Sequence, residues 1–145
     1  MIEVRNATKE DRTAIVRLIH ELAQSAGETS PIREDYVDEY LASPYSRVLV
    51  AVDASGVVGL LSYSVRPDLY HAGQCCMIEE LVVSAEKRGH GIGGVLLEAV
   101  LAHGEAEGWE EVSVGVMPEN RQALAFYKRH GLVDEALLLE RHIQG

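Results

Sequence analysis

The sequence predicts a single α/β domain of the α+β kind, in which helices flank one mixed, mostly antiparallel sheet. Strand-like and helix-like segments follow one another in the order β-α-α-β-β-β-α-β-α-β. Three strand-like segments follow one another in the middle of the chain, and the first two form a predicted hairpin, so we expect the early part of the sheet to be mostly antiparallel. Because the chain has 145 residues and neither a repeat nor a linker-like stretch, we expect residues 1–145 to form one domain.

The first half of the chain predicts a strand, two helices and a hairpin. Residues 2–4 are strand-like, and Thr8 is a typical N-cap of a helix. The apolar residues of this helix recur at helical spacing: Ile15, Leu18, Ile19 and Leu22. A shorter helix is predicted over residues 34–42. Residues 47–52 and 57–65 are apolar and flank a turn-like tetrapeptide, which indicates a β-hairpin.

The second half of the chain contains the strongest helical pattern. Residues 74–83 form a long apolar run, interrupted by two glutamates, that predicts a strand. A glycine-rich turn follows and opens a helix that ends at Gly108. Residues 112–116 predict another strand, and Asn120 can cap the last helix. Residues 132–141 predict a final, leucine-rich strand.

Composition and charge restrict the class of protein. The chain is 47% hydrophobic and 25% charged, and no apolar run reaches the roughly 20 residues that a membrane span needs. The formal net charge of −10 disfavours a nucleic-acid partner and mildly favours a cationic substrate. Because the N-terminus lacks the basic and apolar regions of a signal peptide, we expect a cytoplasmic protein with no membrane partner.

The two cysteines, Cys75 and Cys76, are neighbours in a predicted strand. Their side chains should point to opposite faces of the sheet, which makes them a poor disulfide pair. No further cysteine could complete a zinc site, and no histidine is tied to either thiol by its spacing. We therefore expect two buried free thiols and no metal.

The clearest functional motif is the run Arg88-Gly89-His90-Gly91-Ile92-Gly93-Gly94. A strand that leads into a glycine-rich turn at the start of a helix is typical of a phosphate site, because an anion can approach the unpaired first amides of the helix. Gly89, Gly91 and Gly94 formally satisfy the dinucleotide pattern G-x-G-x-x-G, but the preceding hairpin is not the βαβ unit that this pattern requires. A Walker pattern is excluded, because no Gly-Lys-Ser/Thr follows the glycines.

A third interpretation of the same turn uses its arginine. Arg88, Gly91 and Gly93 form R-x-x-G-x-G directly after the strand end Leu81-Val82-Val83. This arrangement resembles the pyrophosphate-binding motif of the GCN5-related N-acetyltransferases, the GNAT family. The resemblance implies coenzyme A as the phosphorylated ligand.

The late part of the chain independently resembles the same family. The segment from Asn120 to Leu132 matches the family pattern N-x-x-A-x-x-F-Y-x-x-x-G-F, except that Leu132 replaces the usual aromatic residue. A leucine is a tolerable substitute for an aromatic in a core position. The resemblance covers residues 74–139 closely and the earlier elements by topology only. The sequence is therefore least informative about the half of the chain that usually shapes the acceptor pocket in this family.

The resemblance implies an acetyl-CoA-dependent N-acetyltransferase that acts on a primary amine and needs no metal. The stretch Ile78-Glu79-Glu80-Leu81 and the acidic balance resemble those of family members that acetylate small amines, which implies a small-molecule acceptor such as a polyamine or an amino-acid-like compound. A protein N-terminus or lysine is the alternative acceptor, and a non-catalytic acyl-CoA-binding regulatory module is the alternative function. Many relatives dimerise, so a homodimer is a further expectation.

The resemblance also implies which residues bind the coenzyme. The turn from Arg88 to Gly94, including Gly89, His90, Gly91, Ile92 and Gly93, would hold the pyrophosphate through its backbone amides. The backbone of Leu81, Val82 and Val83 would pair with the pantetheine amides, much as an added peptide strand does. Asn120 is either a helix cap or a ligand of the coenzyme.

The catalytic roles fall to Tyr127 and to one or both of the glutamates. The phenol of Tyr127 matches the family's general acid, and its ordinary pKa of about 10 suits a group that protonates the leaving thiolate. Glu79 and Glu80 are the candidates for the base that takes a proton from the incoming amine, directly or through water. Because adjacent strand residues face opposite sides, at most one should point at the acceptor, and Glu79 is slightly favoured.

Overall fold

The computed structural model describes residues 1–144, which form five strands and four α-helices. The strands are β1 (Glu3–Asn6), β2 (Ser46–Asp53), β3 (Gly56–Asp68), β4 (Gly73–Val83) and β5 (Glu111–Val114). The helices are α1 (Arg12–Ser25), α2 (Glu34–Ala42), α3 (Ile92–Glu107) and α4 (Arg121–Arg129). Two short 3₁₀ turns, Lys9–Asp11 and Ala85–Lys87, precede α1 and the glycine-rich turn.

The strands form one sheet in the order β1-β2-β3-β4-β5. The first four strands pair antiparallel, and only β5 lies parallel to its neighbour β4. This parallel step requires a crossover, and α3 provides it. The predicted fold class, a mostly antiparallel mixed sheet flanked by helices, is confirmed.

Alternating side chains of the sheet supply two apolar clusters, one on each face. In β2, Leu49 and Ala51 contribute to the cluster that includes the buried face of α3, whereas Val48 and Val50 contribute to the cluster with α1 and α2. The sheet is therefore the middle layer of three. Helices α1 and α2 lie on one face, and α3 and α4 lie on the other. A site that uses residues from both faces must therefore lie along the strands or at their ends.

The strands β4 and β5 separate halfway along β4. Their pairing runs from Cys75 opposite Glu111 to Ile78 opposite Val114, and β5 ends there. β4 continues to Val83 with β3 on one side and no strand on the other among residues 1–144. The second half of β4 thus presents a free backbone edge inside the fold.

The final strand predicted over residues 132–141 is not formed, and that prediction is wrong. Residues 130–144 have no regular secondary structure. The run Leu137-Leu138-Leu139 lacks the alternation that defines one buried face, so it needs cover on both faces to be stable as a strand. Within residues 1–144 it lacks that cover, and all three leucines are exposed.

The prediction for the cysteines is confirmed. Cys75 and Cys76 are both free and both buried. None of the helices within residues 1–144 is both long enough and apolar enough to cross a membrane.

An ion pair fixes the start of the first helix to the first strand. Asp11 is buried, and its carboxylate accepts hydrogen bonds from Arg5 Nη1 at 2.8 Å and Nη2 at 3.0 Å. The same carboxylate accepts the backbone N–H of Thr8 at 2.8 Å. The hydrogen bonds from Arg5 are the main reason that the pKa of Asp11 lies below its usual value.

We expect Asp11→Ala to lower the free energy of unfolding by about 1–2 kcal/mol at pH 7, because it removes the carboxylate that accepts hydrogen bonds from the Thr8 N–H and from the partly exposed Arg5. Since the pKa of Asp11 is lowered by folding, its contribution is present above the unfolded pKa of about 3.9 and disappears as pH falls through the lower folded value. Urea denaturation at pH 7 and near pH 2 measures both effects. The matched control is Asp38→Ala, which breaks a more exposed pair with Arg12 and should cost below about 1 kcal/mol. Equal losses in the two variants would contradict the prediction.

Candidate active site

The glycine-rich turn brings unpaired backbone amides to the start of α3. Gly91 is the N-cap residue of α3 and has a φ of +77°. Because glycine has no side chain, no side-chain hydrogen bond caps this end of the helix. The first intrahelical bond runs from the Val95 N–H to the Gly91 carbonyl at 3.2 Å. The amides of Ile92, Gly93 and Gly94 therefore precede the helical ladder and have no acceptor within it. This arrangement, with the positive end of the helix dipole, suits an anion.

Gly91 and Gly93 differ in how well each position would tolerate a side chain. At Gly91 the positive φ disfavours any L side chain, although the space around a Cβ is open. Gly93 lies within the helix, and a Cβ there would meet the Phe126 ring at 3.6 Å, an ordinary contact.

We expect Gly91→Ala to lower the free energy of unfolding by about 1–2 kcal/mol because of this backbone strain. Gly93→Ala should leave stability unchanged or raise it by up to about 1 kcal/mol, because alanine is the better helix former. Chemical denaturation of the two variants measures the contrast. A Gly91→Ala protein as stable as Gly93→Ala would show that the turn tolerates a side chain.

The free edge of β4 directs the backbone groups of two residues away from β3. Ser84 donates its N–H to the Val58 carbonyl at 2.8 Å, and Val83 lies opposite Gly59. Because bonded and non-bonded positions alternate along an antiparallel ladder, Val83 and Leu81 direct their N–H and C=O groups to the side that β5 has left. Arg88 Nε donates to the outward-facing Val83 carbonyl at 3.2 Å, which links the glycine-rich turn to this edge.

The two glutamates of β4 lie on the same face of the sheet, because the strand contains a β-bulge. Ser62 pairs with Glu80 and Tyr63 with Ile78, so Glu79 is the extra residue. Glu80 is hydrogen-bonded to Ser62, and Glu79 Oε2 accepts the Ser64 hydroxyl at 3.0 Å. Ser62 and Ser64 are two residues apart and share a face. The expectation that Glu79 and Glu80 face opposite sides is therefore wrong.

The bulge directs Glu80 into a cavity of about 440 Å³ between the sheet and the α1–α2 pair. Apolar side chains of α1, α2, β2 and β3 form much of its wall: Ile15, Ile19, Val37, Val48 and Leu60. Ser62 and Glu80 provide polar groups at the sheet, whereas Glu79 does not line the cavity and is exposed. Arg33 and Asp35 also line the cavity, which can therefore hold a small molecule with an apolar body and a polar end toward Glu80.

Tyr40 of α2 adds a phenol to this polar end. Burial raises the pKa of Tyr40 to about 12, and the charges of Glu80 and Glu79 act in the same direction. The phenol thus stays protonated at physiological pH and can donate a hydrogen bond. Ser62 holds Glu80 at two points, because its hydroxyl also accepts the Glu80 backbone N–H at 3.0 Å.

The fourth helix carries the two remaining predicted residues. Asn120 caps α4, and its side-chain oxygen accepts the Ala123 N–H at 3.1 Å. Tyr127 packs against the apolar cluster on the α3 side, and burial raises the pKa of its phenol. Its ring lies edge-on to Phe126 with centroids 5.1 Å apart.

Cys75 contacts a histidine that its sequence spacing did not indicate. His71 Nδ1 lies 3.6 Å from Cys75 Sγ, because the β3–β4 turn folds back on β4. The same nitrogen is 2.6 Å from Asp68 Oδ2, and burial raises the pKa of the thiol. A nucleophilic thiolate needs a lowered pKa and a basic nitrogen of its own, so this contact does not make Cys75 an activated nucleophile.

Sequence reasoning missed Tyr40, Ser62 and Ser64. The two serines were detectable in principle, because they stand two residues apart in an otherwise apolar strand and so mark a polar spot on one face. Tyr40 was not detectable, since its position depends on how α2 packs over the sheet.

Comparison with known proteins identifies the family. The model of the acetyltransferase (GNAT) family matches residues 13–132. The aminoalkylphosphonate N-acetyltransferase of Salmonella typhimurium is 31% identical over 129 residues, which cover 89% of this chain and 83% of that protein. The thialysine N-epsilon-acetyltransferase of Bos taurus is 28% identical over 145 aligned positions, with 92% and 85% coverage.

Solved structures share the fold. A transcriptional regulator from Bacillus halodurans superposes with a TM-score of 0.87 at 22% identity, covering 99% of this chain and 100% of that one. An aminoglycoside acetyltransferase from an uncultured soil metagenomic sample gives a TM-score of 0.84 at 21% identity, with 99% and 95% coverage. At these identities the likeness concerns the fold alone.

Proposed function

The chain belongs to the GNAT family of acetyltransferases and is an N-acetyltransferase, and from this we propose that it transfers the acetyl group of acetyl-CoA to the primary amine of a small molecule. The observation that carries the proposal is the cavity with Glu80 at its polar end, since Glu80 directly precedes Leu81, whose backbone groups point to the free side of β4. The names of both curated relatives specify small amine substrates.

The coenzyme would lie along the free edge and the glycine-rich turn. Its pyrophosphate would accept hydrogen bonds from the amides between Arg88 and Gly94, including those of His90 and Ile92. Its pantetheine arm would pair with the outward N–H and C=O groups of Leu81 and Val83, while Val82 packs its side chain into the core. Asn120 already caps α4 with its oxygen, so only its amide NH₂ is available to the coenzyme.

The acceptor would enter the cavity with its amine toward Glu80. The apolar wall covers a carbon chain, and a carboxylate there attracts the ammonium form that amines have at neutral pH. Glu80 would take one proton from the ammonium, directly or through water, to leave a neutral nucleophile. Glu79 is exposed and would contribute its charge to the entrance rather than act as the base.

The reaction would then be direct attack of the neutral amine on the thioester carbonyl. A C–N bond forms, the C–S bond breaks, and the electron pair of that bond leaves with the sulfur. The outward N–H of Leu81 would polarise the carbonyl oxygen during attack. Tyr127 would protonate the leaving thiolate, and the second proton of the amine passes to solvent.

The test is turnover with a defined panel of amines. The protein is incubated with acetyl-CoA and, in turn, aliphatic diamines, amino acids with side-chain amines, aminoalkylphosphonates and lysine peptides, while free thiol release is followed. We expect at least one small amine to raise release well above hydrolysis, with the acetylated product seen by mass spectrometry. Acceleration by peptides alone would favour the protein acetyltransferase alternative. Coenzyme A binding without acceleration by any amine would favour the regulatory module.

A further inference from the structure

Three metal-ligating side chains lie together where the β3–β4 turn folds back on β4. Asp68, His71 and Cys75 each contribute one ligand atom, and these three atoms lie within 4.8 Å of one another. Asp68 is the last residue of β3, and Cys75 is the third residue of β4. None of the three lines the acceptor cavity, and the proposed acetyl transfer uses none of them. The cluster is therefore separate from the proposed active site.

The donor atoms and their spacing suit zinc. Zinc in proteins is bound by thiolate, imidazole and carboxylate groups, and a sulfur and a nitrogen on one tetrahedral zinc ion lie about 3.6 Å apart. The distance from Cys75 Sγ to His71 Nδ1 is 3.6 Å. The distance from Asp68 Oδ2 to the same nitrogen is 2.6 Å, which would have to lengthen to about 3.3 Å. The side chain of Asp68 is 31% exposed, so it has room for this movement.

The second nitrogen of His71 faces a further carboxylate. Nε2 lies 3.8 Å from Glu111 Oε2, and the other oxygen of Glu111 accepts the Ser113 hydroxyl at 3.3 Å. Histidines that bind zinc almost always donate their other ring N–H to a carboxylate, a carbonyl or a water, which fixes the tautomer. A shift of roughly 1 Å would give Nε2 such a hydrogen bond. Glu111 is also paired with Cys75 across β4 and β5, so the sheet itself holds this partner near the cluster.

The charges around the cluster are mostly negative. The hydrogen bond to Asp68 and the charges of Glu111 and Glu110 raise the pKa of His71. The same three carboxylates act on the neighbouring thiol, where Arg66 opposes them. A divalent cation would offset this negative charge, and a thiol that coordinates such an ion loses its proton even where burial disfavours a free thiolate.

We propose that Asp68, His71 and Cys75 bind one zinc ion and that Glu111 orients the imidazole ring. Three protein ligands leave the fourth tetrahedral position to a water molecule. When the ion binds, the thiol releases its proton to solvent, and the imidazole keeps a single proton on Nε2, toward Glu111. The expectation of no metal from the sequence rested on the lack of a further cysteine, whereas this site needs only one.

The ion stabilises the fold and takes no part in acetyl transfer. Cys75 precedes Leu81 by six residues in β4, which is roughly 20 Å along a strand. The three ligands come from the end of β3, the turn and the start of β4, so the ion holds the turn against the sheet. An ion that binds the folded chain in preference to the unfolded chain raises the stability of the fold.

Cobalt is the first probe, because Co²⁺ occupies zinc sites and its bond to a thiolate gives a charge-transfer absorption band. Wild-type protein treated with a chelator and then titrated with cobalt should develop this band, saturate at one ion per chain and lose the band when zinc is added. Cys75→Ser should abolish the band. The matched control is Cys76→Ser, which removes the neighbouring buried thiol on the opposite face and should keep it. A wild-type protein without the band, or adventitious binding in which the band survives Cys75→Ser, would overturn the proposal.

Thermal unfolding tests the site without replacing a buried residue. Zinc at about 100 times its dissociation constant should raise the melting temperature of the wild-type protein by about 5 °C or more. His71→Ala alters a side chain that is 32% exposed, so this variant should fold and lose the rise. His142→Ala changes an exposed histidine far along the chain and should keep it. No rise in the wild-type protein, or an equal rise in His71→Ala, would contradict the site.

The part of Glu111 is tested by zinc affinity, measured in competition with a chromophoric chelator. Glu111→Gln should weaken binding about 10-fold or more, the usual cost of losing a carboxylate that orients a zinc-bound histidine. Glu110→Gln removes the same charge from the preceding residue and should weaken binding less. Equal losses in the two variants would remove Glu111 from the site. None of these measurements uses acetyl-CoA, so their outcomes are independent of the proposed acetyl transfer.

Discussion

Replacing Glu80 by glutamine should lower kcat/KM for the acceptor at least about 100-fold, the lower end of the range for losing a general base. The amide keeps the shape of the side chain and can still bond to Ser62, but it cannot take a proton from the ammonium. Coenzyme A affinity should be unchanged, because the carboxylate lies on the α1–α2 face while the proposed coenzyme site lies along the free edge of β4. Steady-state kinetics and a coenzyme titration measure the two quantities.

The bulge provides the matched control for this experiment. Glu79→Gln removes the same charge one residue away, on the same face, but outside the cavity. We expect kcat/KM for the acceptor to fall less than about 10-fold, through a higher KM. Added salt should reduce this difference, because a charge at the entrance attracts the acceptor through solvent, where salt screens it. If Glu79→Gln were the more damaging change, the roles of the two glutamates would have to be exchanged. If both variants kept full activity, neither would be the base.

Replacing Tyr127 by phenylalanine should lower kcat about 100-fold while the dissociation constant of coenzyme A stays within about two-fold. Phenylalanine preserves the packing against Phe126, so only the hydroxyl is lost. Without it the thiolate of coenzyme A must leave unprotonated. The comparison variant is Tyr45→Phe, which removes the hydroxyl of an exposed tyrosine before β2 and should have no effect.

The acidity of Tyr127 adds a test by pH. Burial raises the pKa of this phenol above its ordinary value of about 10, so the acid form persists throughout the neutral and mildly alkaline range. The rate of the wild-type protein and that of Tyr127→Phe should therefore depend on pH in the same way between pH 7 and pH 9. A decline in that range that disappears in Tyr127→Phe would show that the phenol ionises there, contrary to its burial. An unaltered kcat in the variant would remove Tyr127 from the mechanism.

The elements that local chemistry specifies were predictable from the sequence. α2 was predicted at its observed bounds, since Ser43-Pro44 stops a short helical pattern, and α3 ends before Gly108, which has the left-handed φ of +76° that favours glycine. The glycine-rich turn was predictable for the same reason. In each case neighbours within a few residues decide the conformation.

The features that were not predictable depend on distant parts of the chain. The bulge at Glu79 arises from the register between β3 and β4, which the order of residues in β4 alone does not specify. The cavity arises from how α2 packs on the sheet. Residues 132–141 have the composition of a strand but do not form one, because the described part of the chain does not cover both faces of Leu137, Leu138 and Leu139.

The bulge in β4 also bears on how such a site can change over evolution. Substitutions at residue 79 alter an exposed charge and leave the inward carboxylate where it is. Deletion of that residue would instead restore regular alternation against β3, which would move either the part of the strand before it or the part after it by one position. The site is thus tolerant of point changes at this position and intolerant of length changes, so related sequences aligned with a gap here should not be assumed to share the acceptor of this chain.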